Sequence, residues 1–130
     1  INEAKEKTAN NTRLTLILAL SYSGRWEIAK AARKIAENAQ ANTINPAEID
    51  ENVFKNYIET KGIPDTELLI RTSGEMRLSN FLLWQLAYAE LYFTDKFWPD
   101  FTEADLKKAI TEFKNRERRF GGLNDGDRYA

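Results

Sequence analysis

The stretch whose reading decides the fold is ELLIRTSGEMRLSNFLLWQLAYAELYF, Glu67 to Phe93. Leu68, Leu69 and Ile70 make a short apolar run, the pattern of a buried strand. A polar loop follows from Arg71 to Asn80, and Phe81 to Ala89 is then apolar nearly all round, which predicts an interior helix. Leu91, Tyr92 and Phe93 predict another strand. Strand, loop, helix and strand in that order form a right-handed crossover unit, whose strands run parallel.

The surrounding sequence extends this pattern. Upstream, the apolar run Leu14 to Leu20 predicts a strand buried on both faces. The turn Ser21 to Gly24 leads into an amphipathic helix with Ile28, Ala32, Ile35, Ala36 and Ala39 on one side and Lys30, Arg33, Lys34 and Glu37 on the other. Asn45, Pro46 and Glu48 have the spacing of an N-cap, first-turn proline and N3 glutamate, opening a helical segment with apolar Ile49, Val53, Phe54, Tyr57 and Ile58. Gly62 and Pro64 end it. Downstream, Thr102 and Asp105 can cap a last helix reciprocally, with Phe101 and Leu106 as hydrophobic staple and Leu106, Ala109, Ile110 and Phe113 as its apolar face. That helix should end in Arg116, Arg118 and Arg119 before Gly121 and Gly122. The expected fold class is α/β, a parallel sheet with helices on both faces in the order β-α-α-β-α-β-α. One domain is expected over 1–130, with a polar lead-in over 1–12 and a flexible tail over 123–130. Three strands would leave two long edges, and the chain opens without an obvious first element, so part of a domain is the expectation.

Composition narrows the chemistry. The 130 residues hold 6 Gly and 3 Pro, too few for a low-complexity chain. Nineteen basic and 20 acidic residues give a net charge of −1, which argues against a general nucleic-acid binder. With no Cys and no His, disulfides, thiol chemistry and imidazole catalysis are excluded, and any metal must be a hard cation such as Mg2+. The longest uninterrupted apolar run, Leu16 to Leu20, is too short to span a membrane, and INEAKEK has no signal-peptide core, so a soluble intracellular chain is expected.

Function concentrates in the loop. Ligands of open parallel sheets bind beyond the carboxyl ends of the strands, where Arg71 to Asn80 must lie. Arg71 leaves the strand, Gly74 permits a tight turn, Arg77 adds a second guanidinium, and Ser79 and Asn80 stand at the start of the predicted helix. Two planar forks, a hydroxyl and helix N-terminal amides on one spot suit a di-anion such as diphosphate. The same residues also fit a solvated loop with a serine cap. Glu75 either pairs with one arginine and orients it or is a surface charge.

Four segments carry a resemblance: RTSGEMRLSNFLLWQLAYAELYFTD (Arg71 to Asp95), SYSGRW (Ser21 to Trp26), WPDF (Trp98 to Phe101) and RERRFGG (Arg116 to Gly122). In order and spacing they resemble the cis-prenyltransferases, of the bacterial undecaprenyl diphosphate synthase type, from about Thr12 to Gly122. The resemblance implies an enzyme that condenses isopentenyl diphosphate with farnesyl diphosphate, using Mg2+, to give undecaprenyl diphosphate, the lipid carrier of cell-wall synthesis. It implies a cytoplasmic homodimer, peripheral at the inner membrane face, that delivers its product to the membrane.

Carried over by position, the resemblance implies that Arg71, Arg77 and Ser79 hold the isopentenyl diphosphate, with Glu75 as an acid of the same loop. It makes Glu90 the glutamate associated with Mg2+. A helix from Phe81 would put Glu90 over roughly 12 Å from Ser79, so that role needs a bent helix end or a dimer mate; a salt-bridged interface acid is the other reading. Arg119 and Gly121 match an Arg-x-Gly motif reaching toward the partner's diphosphate site, although a helix end favours both residues for its own sake. Leu14 and Leu16 match tunnel-wall positions and otherwise read as ordinary core. Tyr22, Trp26, Trp84 and Trp98 read as packing residues.

The sequence also departs from the family. Ser21 stands where Asn is frequent, and Met76 stands where some members have His, a poor exchange for any Mg2+ or proton role. The family's N-terminal half, with its allylic-diphosphate loop, has no counterpart here, so the chain resembles the C-terminal half and is expected to be inactive alone. A non-catalytic partner subunit and a generic diphosphate-binding module remain as other readings.

Overall fold

The computed structural model describes residues 1–116. In chain order these form α1 (Asn2–Thr8), α2 (Gly24–Gln40), α3 (Glu51–Lys55), β1 (Leu68–Arg71), β2 (Glu90–Phe93) and α4 (Glu103–Asn115), with single 3-10 turns at Pro46–Glu48 and Trp98–Asp100. Strands β1 and β2 are parallel, with Leu68 opposite Glu90 and Arg71 opposite Phe93. The α/β class and the parallel pairing agree with the sequence reading. Helix α4 packs on β2, and α2 packs on α3. The core consists of Ala31, Ile35, Ile58, Leu86, Tyr92 and Ala109.

Three expectations need correction. Leu14 to Leu20 is not a strand: the segment has no regular secondary structure, with Leu14 81% and Leu16 77% exposed. A run that is apolar on both faces makes a strand only between neighbours, and among the described residues no strand pairs with it. The described sheet therefore has two strands, not three.

Phe81 to Ala89 is a series of turns, not a helix. It holds one i→i−4 bond, Leu86 N–H to the Leu82 carbonyl at 3.0 Å, beside shorter-range turns such as Ala87 N–H to Trp84 at 3.3 Å. Ser79, Asn80 and Leu82 have φ of 51°, 61° and 44°. Left-handed residues cannot continue a right-handed ladder, so the predicted helix start is abolished where the loop enters it.

Helix α2 is rotated from its expected phase. Gly24, Glu27, Ala31 and Ile35 face inward, while Ala32 and Ala36 are exposed. Gly24 sets this phase: a Cβ there would meet Leu83 Cγ at 2.8 Å and the Asn80 carbonyl at 3.3 Å. Residues three, seven and eleven positions on then share its face. The polar lead-in holds the short exposed helix α1.

The capping predictions agree with the structure. Asn45 accepts from Ala47 N–H at 3.1 Å with Pro46 in the first turn, but that turn closes after Glu48, and Asp50 caps α3 afresh by accepting from Val53 N–H at 2.8 Å. Thr102 and Asp105 form the reciprocal capping box at α4. Asp105 also accepts from Lys96 Nζ at 2.9 Å and from Thr102 N–H at 2.8 Å.

The Lys96 hydrogen bond, followed by those from Thr102, holds the Asp105 carboxyl well below the usual carboxylate range. A depressed folded value means that this contribution to stability is complete above the unfolded value near 4 and is lost as pH falls through the lower folded value. Asp105→Asn should therefore lower the melting midpoint by a constant amount above about pH 5, and the gap to wild type should close progressively below about pH 4. A gap that is the same at pH 3 and pH 7 would disprove the linkage.

Candidate functional site

Arg71 closes β1, so its side chain and the loop after it lie at the carboxyl end of the parallel pair. The first half of the loop is tied to the exit of β2. Ser73 N–H donates to the Lys96 carbonyl at 2.8 Å and Gly74 N–H to the Thr94 carbonyl at 3.0 Å. Gly74 has φ 69°, and a Cβ there would meet Asp95 Oδ1 at 3.1 Å, so the turn favours glycine both by conformation and by space.

The second half folds back onto Arg71. Arg71 Nη1 donates to Ser79 Oγ at 2.8 Å and also to the Arg77 carbonyl. These bonds engage one nitrogen of a five-donor fork and leave the remaining N–H groups as an edge suited to a planar anion. Ser79 Oγ, by accepting from Arg71, directs its own proton elsewhere. The Glu75 carboxylate pairs with the Arg77 guanidinium, which settles the choice between ion-pair partner and lone surface charge. Arg77 is exposed and Glu75 half-buried, so solvent screens the pair and it adds little to the stability of the fold.

The helix N-terminus at this spot is not the predicted one. It belongs to α2, and its first amides are already engaged. The Asn80 carbonyl accepts from Gly24 N–H at 2.7 Å, Asn80 Oδ1 accepts from Arg25 N–H at 2.8 Å, and Ser23 Oγ accepts from Trp26 N–H at 3.5 Å. Asn80 Nδ2 also donates to Ser23 Oγ at 2.7 Å. The 17-residue helix contributes the positive end of its dipole to the site, but not the free donors that sequence reading placed at Phe81.

Beneath this junction lies a polar network that sequence reading missed. Glu27 is 1% exposed. It accepts from Tyr22 Oη, from Glu59 N–H at 2.7 Å and from Gln85 Nε2 at 3.0 Å. Gln85 Nε2 donates to Thr60 Oγ1 at 2.9 Å, while the buried Gln85 Oε1 has no hydrogen-bond partner among the described residues. Burial, then the hydrogen bond and negative charge of Glu27, push the Tyr22 phenol well above its ordinary value. The available signal was an acid in register with Gly24, Ala31 and Ile35 on one helical face. Tyr22 and Gln85, with Ile17, Leu18, Ile63 and Phe81, border a largely apolar cavity of about 480 Å³.

The model of the undecaprenyl diphosphate synthase family, within the prenyltransferases, matches residues 1–121. The chain belongs to this family. It is 56% identical over 121 residues to the ditrans,polycis-undecaprenyl-diphosphate synthase ((2E,6E)-farnesyl-diphosphate specific) of Micrococcus luteus, an alignment covering 93% of this chain and 49% of that protein. The enzyme of the same name from Escherichia coli K12 is 49% identical over 130 residues, covering 100% of this chain and 51% of the relative. The crystal structure of lavandulyl diphosphate synthase from Lavandula x intermedia, in complex with dimethylallyl diphosphate, superposes with a TM-score of 0.87 at 44% identity, over 93% of this chain and 52% of that one. The chain thus spans about half the length of the relatives it matches.

For an undecaprenyl diphosphate synthase family chain, the other expected site residues are dispersed. Glu90 opens β2 opposite Leu68, three strand steps or about 10 Å from the Arg71 level. Its carboxylate pairs with Arg116 Nη1 at 2.9 Å, and Arg116 also donates to the Leu91 carbonyl at 2.9 Å and to Glu112 at 2.6 Å. Among the described residues no group of three or more Asp, Glu, His or Cys is placed to hold a metal ion. Leu14 and Leu16, read as core, are exposed and do not line the cavity; Ile17, Leu18 and Leu20 do. Arg119, Gly121 and the 123–130 tail lie outside the described residues. No helix among the described residues is long and apolar enough to cross a membrane.

Proposed function

We propose that this chain carries the isopentenyl diphosphate half-site of a cis-prenyltransferase. One observation carries the reading: Arg71 holds Ser79 Oγ at 2.8 Å and, with Arg77, sets two guanidinium groups and a hydroxyl at the carboxyl end of a strand. Arg71 and Arg77 bind the diphosphate oxygens, Ser79 donates its proton to one of them, and Glu75 orients Arg77. The Lavandula relative, whose structure holds dimethylallyl diphosphate, supports a prenyl diphosphate as the ligand class.

In the whole protein the reaction is condensation of isopentenyl diphosphate with farnesyl diphosphate toward undecaprenyl diphosphate. The allylic diphosphate leaves, the double bond of isopentenyl diphosphate attacks the allylic carbon, and a proton is lost. This chain's part is positioning and preorganised charge. The setting proposed is a cytoplasmic homodimer that delivers an apolar product to the membrane for cell-wall synthesis. Prenyltransferases of this family generally use a divalent metal. Here a single carboxylate, Glu90, already neutralised by Arg116, does not fit a Mg2+ site on its own, and Mg2+ enters no step assigned to these residues.

Titration calorimetry of the chain with isopentenyl diphosphate, beside inorganic diphosphate, tests the reading. A charge-assisted hydrogen bond is worth about 1.5–3 kcal/mol, so Arg77→Ala should raise the Kd for isopentenyl diphosphate about 10- to 100-fold. An unchanged Kd rejects the site. Equal affinity for inorganic diphosphate and isopentenyl diphosphate favours a generic diphosphate-binding module instead.

A further inference from the structure

We propose that Asn80 is a positioning residue for the diphosphate cradle, locking the Ser79 hydroxyl to the N-terminal turn of α2. The inference rests on the reading of Arg71, Arg77 and Ser79 as the diphosphate site. Asn80 uses its backbone carbonyl and both ends of its side-chain amide on three consecutive residues, Ser23, Gly24 and Arg25. These residues are more than 50 positions away in sequence, so the contacts are tertiary and fix the loop to a separate element.

The lock is needed because the backbone there is strained. Ser79 at φ 51° and Asn80 at φ 61° are successive left-handed residues. Asn tolerates that region through its short polar side chain, whereas Ser is far less suited to it. A free loop would relax Ser79 toward the right-handed or extended region and swing Oγ away from Arg71 Nη1. Asn80 prevents this by pinning the peptide that follows Ser79. Arg71 then meets an acceptor already in place, and the hydroxyl proton is left for the ligand.

Asn80→Gly separates the lock from the strain, since glycine adopts φ 61° without penalty but offers no amide. Titration of the chain with isopentenyl diphosphate should show a Kd raised about tenfold in Asn80→Gly, the loss of one charge-assisted hydrogen bond, with a similar rise in Ser79→Ala. The double variant should bind about as well as either single one, because both remove the same contact. A merely structural role would instead give penalties that multiply to about a hundredfold. Multiplying penalties, or wild-type affinity in Asn80→Gly, would overturn the proposal.

Should Asn80→Gly fail to fold, Ser23→Ala removes the Nδ2 contact, together with the long 3.5 Å cap on Trp26 N–H, and leaves the other two Asn80 contacts in place. It should raise Kd about threefold, again without adding to Ser79→Ala; wild-type affinity in Ser23→Ala would equally overturn the lock. Arg77→Ala in the same series keeps the two questions apart. If it weakens binding while Asn80→Gly does not, only the lock fails; if it leaves Kd unchanged, or if wild type does not bind, the diphosphate reading itself fails.

Discussion

Arg71→Ala is expected to raise the Kd for isopentenyl diphosphate by about two to three orders of magnitude, more than Arg77→Ala. The difference follows from what each guanidinium touches. Arg77 is exposed and its side chain pairs with Glu75, so on the proposed reading its loss would remove the diphosphate contacts and little else. Arg71 can offer a bidentate edge to the diphosphate while its Nη1 ties Ser79 Oγ and the Arg77 carbonyl to the end of β1. Two charge-assisted bonds at about 1.5–3 kcal/mol each already give roughly a hundredfold or more, and release of the loop adds to it. Arg71→Lys keeps the charge but not the fork, and should recover only part of the loss. Calorimetric titration with a parallel melting curve checks this. Binding within threefold of wild type in a folded Arg71→Ala variant would rule out Arg71 as a ligand-holding residue.

What was legible in the sequence divides along physical lines. Caps are local: Thr102 and Asp105, Asn45 and Pro46 act within three residues, and their chemistry can be read directly. The residue types of the loop, two arginines, a glycine and a serine between two strands, likewise pointed to a candidate anion site, and the structure brings Arg71 onto Ser79 and the Arg77 carbonyl. The strand at Leu14 to Leu20 was misread because a sheet is a non-local agreement, and apolar content cannot say whether neighbours are present. The start of the expected helix at Phe81 was misread because Ser79 and Leu82 carry no sign that they will be left-handed; only Asn80 does. The phase of α2 was misread because apolar content placed Ile28, Ala32 and Ala36 on the inner face, where the structure instead buries the acid Glu27 with Gly24, Ala31 and Ile35. The hydrogen-bond partners of Glu27 come from three other places in the chain, which no helical periodicity reveals.

Glu27 therefore carries the second large prediction, on stability. Glu27→Ala should destabilise the chain by about 3 kcal/mol or more, because it strips the acceptor from Glu59 N–H, the Tyr22 hydroxyl and the Gln85 amide together. A buried donor left unpaired costs about 1–3 kcal/mol, and part is recovered where groups can turn toward the neighbouring cavity. For a chain of this size the melting midpoint should fall by about 10 °C. Glu27→Gln should cost much less, since it keeps an acceptor for Glu59 N–H, and Gln85 can rotate to present the oxygen that has no partner among the described residues. The phenol supplies an independent reading. Part of what pushes Tyr22 up is the hydrogen bond and charge of Glu27, so in Glu27→Ala its titration should move back toward the ordinary tyrosine value while burial still holds it above. Tyr22 directly precedes Ser23, so loosening the network also loosens the turn that Asn80 grips, and weaker diphosphate binding should accompany the lower midpoint. A Glu27→Ala variant that melts within 2 °C of wild type, at roughly half a kcal/mol of destabilisation, would mean that these donors find other partners and that the network does not anchor α2.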